Sequence, residues 1–265
     1  MQVYFNNFSN IPYQNFRGMN KNIGSSILSV ENNILNTGRE YFPQSEYIAH
    51  TNIKKITSEE EFDRVLSKIK NDSSWLGGWW NRGRATKFEQ AIIPYIGEED
   101  RSAHINCYMH SGHLTNPRFS EDITREYIRA MFYALPEIDK TYGKYRGIVY
   151  RCGYMDETPR NFVSTARDPV GVSYIITSRE DYHKPFYIIY TNNGHNIEEM
   201  QKKYCYKYAR ETEILLDPEN HYEKITEITP EMNELKRHLR EAIRDEYVVP
   251  ELNVTFLREI CRSDF

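Results

Sequence analysis

The sequence has no apolar run near the ~20 residues that a membrane-spanning helix needs. Its start, MQVYFNNFSN, has no basic segment leading into an apolar stretch, so no Sec-type signal peptide is expected. Cysteine is scarce. The four copies, at 107, 152, 205 and 261, lie 45, 53 and 56 residues apart, and none forms a C-x-x-C pair. That excludes a zinc ribbon or a disulfide scaffold as the organising principle. An excess of positive charge is also missing: 34 Lys+Arg against 38 Asp+Glu leave a net charge of −4. Nucleic-acid binders are usually basic, so nucleic acid is not the expected partner. What the chain does have is tyrosine, 21 copies in 265 residues, within a hydrophobic share of 39%. That share is enough to bury a core. Tyrosine-lined clefts often receive planar groups or proteins, although half-buried sheet packing accounts for most tyrosines.

Nine of the first 36 residues are Asn. Residues 1–56 therefore read as an Asn-rich leader, a flexible or a secretion/targeting segment. Residues 57–265 are expected to form one domain. Ser58 followed by Glu61 is a capping box ahead of Phe62, Val65, Leu66 and Ile69 at helical spacing. A glycine-punctuated aromatic loop, residues 75–84, comes next. A second helix carries Ala85, Phe88, Ile92 and Tyr95 and stops near Gly97. A third covers 99–110, and a fourth starts after Ser120 and ends at Pro136. Beyond residue 140 the period changes to short β-branched and aromatic runs: 145–151, 161–165, 172–177, 185–191, 212–216 and 222–228. Thr229-Pro230 then opens a helix to about residue 246. Helices first and strands afterwards predict an α+β fold: a helical lobe (57–140), a β core (141–228) and a C-terminal helix (229–265).

Three segments could carry chemistry. Tyr208-Ala-Arg-Glu211-Thr-Glu213-Ile-Leu-Leu places two carboxylates at i and i+2, side by side if the segment is a strand. Such a pair can act on a cation and on a neighbouring hydroxyl, but taken alone it is more often a solvated strand face. Upstream lie Asn161-Phe-Val-Ser164-Thr165-Ala166 and, before that, Val149-Tyr150-Arg151-Cys-Gly.

In this order the three segments resemble the arginine–serine–glutamate class of mono-ADP-ribosyltransferase toxins, which includes Rho-modifying exoenzymes and the enzymatic component of actin-modifying binary toxins. The likeness extends to Ala91-Ile92-Ile-Pro-Tyr95-Ile96-Gly97 and Ile105-Asn106 in the helical lobe, so it spans about residues 57–228. The third position of the family's S-T-S is Ala166 here. A second arginine, Arg146 in Tyr145-Arg146-Gly147, also fits the family's loose pattern; Arg151 is preferred because it follows the apolar strand residues and precedes Cys-Gly.

The resemblance implies a split β-sheet core with an N-terminal helical lobe and NAD as the substrate; no metal is expected, because only a weak His/Cys run offers ligands. Arg151 would hold an NAD phosphate, a task suited to a bidentate, permanently charged donor. Ser164 would position Glu213. Glu213 would bind the nicotinamide ribose and stabilise the oxocarbenium-like charge as nicotinamide leaves. Glu211 would orient the nucleophile, which the family's Glu-x-Glu usually pairs with arginine as acceptor. Tyr208 takes the position that contacts the target protein. Thr165, Asn161 and Arg179 are further candidates for NAD contact. The expected partner is a target protein of a host cell, reached by a secreted or injected effector. A transferase acting on nucleic acid, or a non-catalytic binding protein of the same fold, are the alternatives.

Two other features compete. His104, Cys107, His110 and His113 recur every third residue, which invites a zinc site. On a helix each three-residue step turns about 300°, so the four positions drift around the cylinder, and Gly112 is expected to end the helix before His113. The Trp and Arg residues of 75–84 could stack nucleobases, but packing beneath the helical lobe is the expected role.

Overall fold

The computed structural model describes residues 46–48, 51–72, 84–173, 184–218, 220–243 and 252–260. The 75–83 loop, Arg179 and the leader up to residue 45 lie outside them. None of the described helices is long and apolar enough to cross a membrane.

A two-stranded ribbon, β1 (Tyr47–Ile48) with β2 (Ile53–Lys54), precedes four helices. Helix α1 (Glu59–Asn71) begins at Ser58, whose hydroxyl accepts from the Glu61 N–H, and buries Phe62, Val65, Leu66 and Ile69. Helix α2 (Lys87–Gly97) has a full capping box between Thr86 and Glu89; Ala85 lies outside it. Helix α3 (Glu99–Ser111) ends at Gly112, in the left-handed conformation that glycine adopts at low cost.

Helix α4 (Glu121–Tyr142) runs two turns past Pro136, where a stop was expected. An internal proline costs ~3 kcal/mol. Burial of Ile138 and an ion pair from Asp139 to His195 hold the turns beyond it, and Gly143 closes the helix.

The sheet is split. Strands β3 (Lys144–Cys152) and β5 (Phe186–Asn196) pair antiparallel from Lys144↔His195 to Cys152↔Phe186. Strand β8 (Val254–Ile260) lies parallel to β5, and β7 (His221–Lys224) closes that leaf. The second leaf is β4 (Val163–Ala166) with β6 (Glu213–Leu216). It touches the first at Tyr150↔Ala166, and again at His195↔Leu215 and Asn196↔Ile214. Val149, Val163, Ile189, Ile214, Leu216, Tyr222 and Leu257 form the apolar cluster the leaves share. The fold is α+β. Helix α5 (Glu198–Tyr204), a 3-10 turn (Tyr206–Glu211) and helix α6 (Pro230–Ala242) complete it.

Several boundaries depart from the sequence reading. The strand expected at 172–177 begins as helix, with 169–173 helical and the remainder outside the described residues. The expected C-terminal helix stops at Ala242, and β8 follows it. The charges of β8 conceal it in the sequence. Arg258 pairs with Glu223, and Glu259 accepts from the Thr191 hydroxyl at 2.6 Å and the Asn192 N–H at 2.7 Å.

An ionic triad centred on the buried His195 sits where the leaves meet. His195 Nδ1 lies 2.9 Å from Asp139 Oδ1, and its Nε2 lies 3.1 Å from Asp217 Oδ2. Burial alone would lower the imidazole pKa, but the two carboxylates outweigh it and lift it to about 10.

Candidate active site

Arg151 stands near the end of β3, and its guanidinium is fixed by backbone carbonyls. Nη1 donates to the Ser164 carbonyl at 2.7 Å, and Nη2 donates to the Tyr154 carbonyl at 3.1 Å. Arg146 is elsewhere. It is exposed, in a bulge beside Gly147, and donates from Nε to the Tyr190 hydroxyl at 3.1 Å.

On β4, Ser164 lies opposite Leu215 and Ala166 opposite Glu213. Directly opposed residues of an antiparallel pair share a face, as do alternate residues of one strand. Ser164 and Glu213 therefore lie on one face as diagonal neighbours. Thr165 points the other way, and its hydroxyl donates to the Ile214 carbonyl at 2.6 Å.

The two glutamates do not share a strand face, contrary to the expectation from their spacing. Glu211 ends the 3-10 turn, and Thr212, at φ 48°, breaks the chain direction before Glu213 opens β6. A β-branched residue in the left-handed region is an outlier. It is pinned on two sides: the Arg167 N–H donates to the Thr212 carbonyl at 2.9 Å, and Gly171 packs against Glu211 and Thr212.

Glu213 is buried, and Gln201 on α5 holds it. Gln201 Nε2 donates to Glu213 Oε2 at 2.6 Å. Sequence reading passed over Gln201. A seven-residue helix, EEMQKKY, gives too short a window for periodicity to mark its buried face.

The helical lobe supplies a phenol. Tyr95 on α2 accepts from Asn106 Nδ2 on α3 at 2.9 Å. Burial pushes its pKa far up; the negative charge of Glu213 adds to the rise and the positive charge of Arg151 opposes it. Tyr95 thus lies within the fields of both charged residues. Its ring meets Phe162 edge-on, with centroids 5.8 Å apart.

Asn161 turns its amide to the Phe162 carbonyl at 2.9 Å. Tyr208 is half-buried against the helical core, whereas Tyr206 on the same turn is 82% exposed. The histidine–cysteine run disperses. His104 is buried, its Nε2 3.0 Å from the Thr124 hydroxyl and its Nδ1 3.2 Å from that of Thr115. Cys107 Sγ lies 3.7 Å from the Ser111 hydroxyl, and His110 and His113 are exposed. Among the described residues, no group of three or more His, Cys, Asp or Glu side chains could hold a metal ion.

The chain matches no protein-family model and no curated protein sequence. In structure it is similar to the Vis toxin, an ADP-ribosyltransferase from Vibrio splendidus, at 18% identity over 79% of this chain and 89% of that one, with a TM-score of 0.41. It is also similar to exoenzyme S from Pseudomonas aeruginosa, solved with human 14-3-3 protein beta and carba-NAD. That pair shows 13% identity over 75% of this chain and 88% of the other, with a TM-score of 0.45. The type III effector XopAI from Xanthomonas axonopodis pv. citri matches at 13% identity, with a TM-score of 0.32, over 79% of this chain and 96% of that one.

Proposed function

We propose that the chain is an NAD-dependent protein mono-ADP-ribosyltransferase: it transfers ADP-ribose from NAD to a side chain of a target protein, with arginine as the acceptor, and releases nicotinamide. The observation that carries this reading is the convergence of Arg151, Ser164 and Glu213, tied by the Arg151–Ser164 bond and the shared β4–β6 face. The proposed setting is a bacterial effector or toxin acting on a host protein.

Arg151 grips an NAD phosphate. Its fork geometry suits that oxyanion, and its two carbonyl anchors fix its direction. Glu213 meets the nicotinamide ribose. As the bond from the ribose anomeric carbon to the nicotinamide nitrogen breaks, positive charge builds on the sugar, and a carboxylate held in advance stabilises it without reorganising. The bonding electrons leave with nicotinamide. A guanidinium nitrogen of the acceptor then attacks the anomeric carbon, and Glu211 takes the proton it gives up. Ser164 and Asn161 line the NAD side in this reading, and Tyr208 faces the target protein; Thr165, turned to the opposite strand face, is not among the NAD contacts, and Arg179 lies outside the described residues. No step calls on a metal.

The test is intact-protein mass spectrometry of a host-cell lysate incubated with the protein and NAD. One or more lysate proteins should gain a single ADP-ribose, and Glu213→Gln should abolish the gain. Nicotinamide release without modification of any protein would overturn the transferase assignment.

A further inference from the structure

We infer that Gln201 is the positioning residue for Glu213, holding its carboxylate in place for the substrate. This rests on the transferase reading above.

The contact is two-ended. Gln201 Nε2 donates to Glu213 Oε2 at 2.6 Å, and Gln201 Oε1 accepts from the backbone N–H of the same residue at 3.4 Å. One amide therefore grips both the main chain and the side-chain tip of Glu213. Its orientation needs no choice between oxygen and nitrogen: a backbone N–H can only donate and a carboxylate can only accept, so the amide must face them this way round. Both residues are buried.

The helix bearing Gln201 is itself tied to the catalytic leaf. Glu198, three residues earlier on the same buried face of α5, takes both terminal nitrogens of Arg167, at 2.6 and 3.0 Å. Arg167 follows β4 directly, and its N–H holds Thr212. Glu198 thus sets α5 against the end of β4 while Gln201 sets Glu213 at the start of β6. On the far side, the Tyr204 hydroxyl donates to Glu89 of α2 at 3.1 Å. A carboxylate meant to meet developing charge gains most from support that exists before substrate arrives.

Two variants test this by steady-state NAD cleavage, with folding followed by thermal melting. Gln201→Met keeps the length and removes both hydrogen bonds. Because misplacing a reacting group by about 1 Å can cost roughly a hundredfold, kcat should fall about ten- to a hundredfold while KM for NAD, set mainly at Arg151, changes little. Gln201→Glu keeps the shape and puts a carboxylate where the amide donated. Two carboxylates this close share one proton. That variant should work on the acid side and lose kcat as pH rises through the pair's second ionisation, where wild type stays level.

A Gln201→Met protein with wild-type kcat, or a Gln201→Glu protein whose profile parallels wild type, overturns the inference. So does failure of both variants to fold, which would make Gln201 a plain structural residue. If Gln201→Met behaves as wild type while Glu213→Gln and Arg151→Lys are inactive, the inference fails alone and the function stands. If wild type releases no nicotinamide, both fail.

Discussion

Arg151 reaches from β3 to β4 and donates to the Ser164 carbonyl at 2.7 Å, so main chain takes part in orienting the guanidinium. A lysine in its place keeps the charge and loses the fork. Arg151→Lys should weaken NAD binding by about 1.5–3 kcal/mol, the usual worth of a hydrogen bond to a charged group, or roughly ten- to a hundredfold in Kd. Arg146→Lys, on an exposed residue that contacts Tyr190, should leave Kd near wild type. Calorimetric titration with NAD ranks the two, and the reverse order would move the phosphate site to Arg146.

The two glutamates should separate by reaction. Glu213→Gln should slow NAD hydrolysis and protein modification alike, by about a hundred- to thousandfold, as loss of comparable preorganised groups does. Glu211→Gln should spare hydrolysis and lose transfer, because in the proposed mechanism Glu211 meets only the acceptor. Nicotinamide release and label transfer, measured in parallel, decide it. Near-normal rates of both reactions in both variants would sink the arginine–serine–glutamate assignment.

Gly171→Ala probes the turn between those glutamates. An added Cβ would press on the Glu211 carbonyl oxygen and lie 2.7 Å from Thr212 Oγ1 and 2.9 Å from Ala166 Cβ. Backbone cannot swing aside as a flexible side chain does. The variant should lose about 1–3 kcal/mol of stability, the range for overpacking, and protein modification should fall more than NAD binding. A melting point and transfer rate equal to wild type would show that the turn yields freely.

Arg151, Ser164 and Glu213 could be singled out as candidates because order and residue type are read without knowledge of the fold. The caps at Ser58 and Ser120 were legible for a local reason: a hydroxyl satisfies an N–H three residues on, wherever the helix later packs. What was hidden depended on distant partners. Strand β8 carries Arg258 and Glu259, which only Glu223, Thr191 and Asn192 make tolerable. The period-2 rule misplaced Glu211 because a β-branched residue takes the left-handed conformation at Thr212, against its local preference. Pro136 was read as a stop because the sequence does not show the ion pair one turn later.

His195 gives the protein a pH signature. Its folded pKa, about 10, lies above the ordinary imidazole value because Asp217 and Asp139 outweigh burial. A raised pKa stabilises the fold fully below about pH 6.5, and that contribution drains away as pH climbs toward 10. Urea midpoints measured from pH 6 to 10 should fall steadily in wild type. In His195→Gln the slope should flatten and the starting stability should drop by about 3–5 kcal/mol, as when one partner of a buried ion pair is removed. An equal slope in both proteins would place the titrating group elsewhere.

The same triad solves a problem of registration. Strands β5 and β6 align through two residue pairs, His195↔Leu215 and Asn196↔Ile214, too short a ladder to resist slipping by itself. A slip of one residue would turn β6 over relative to β5 and part the imidazolium from Asp217, which directly follows β6. The imidazolium therefore works as a key in a lock: it admits one alignment of the two leaves and penalises its neighbours. The placing of Glu213 relative to Arg151, made through β4, is backed by that second fit.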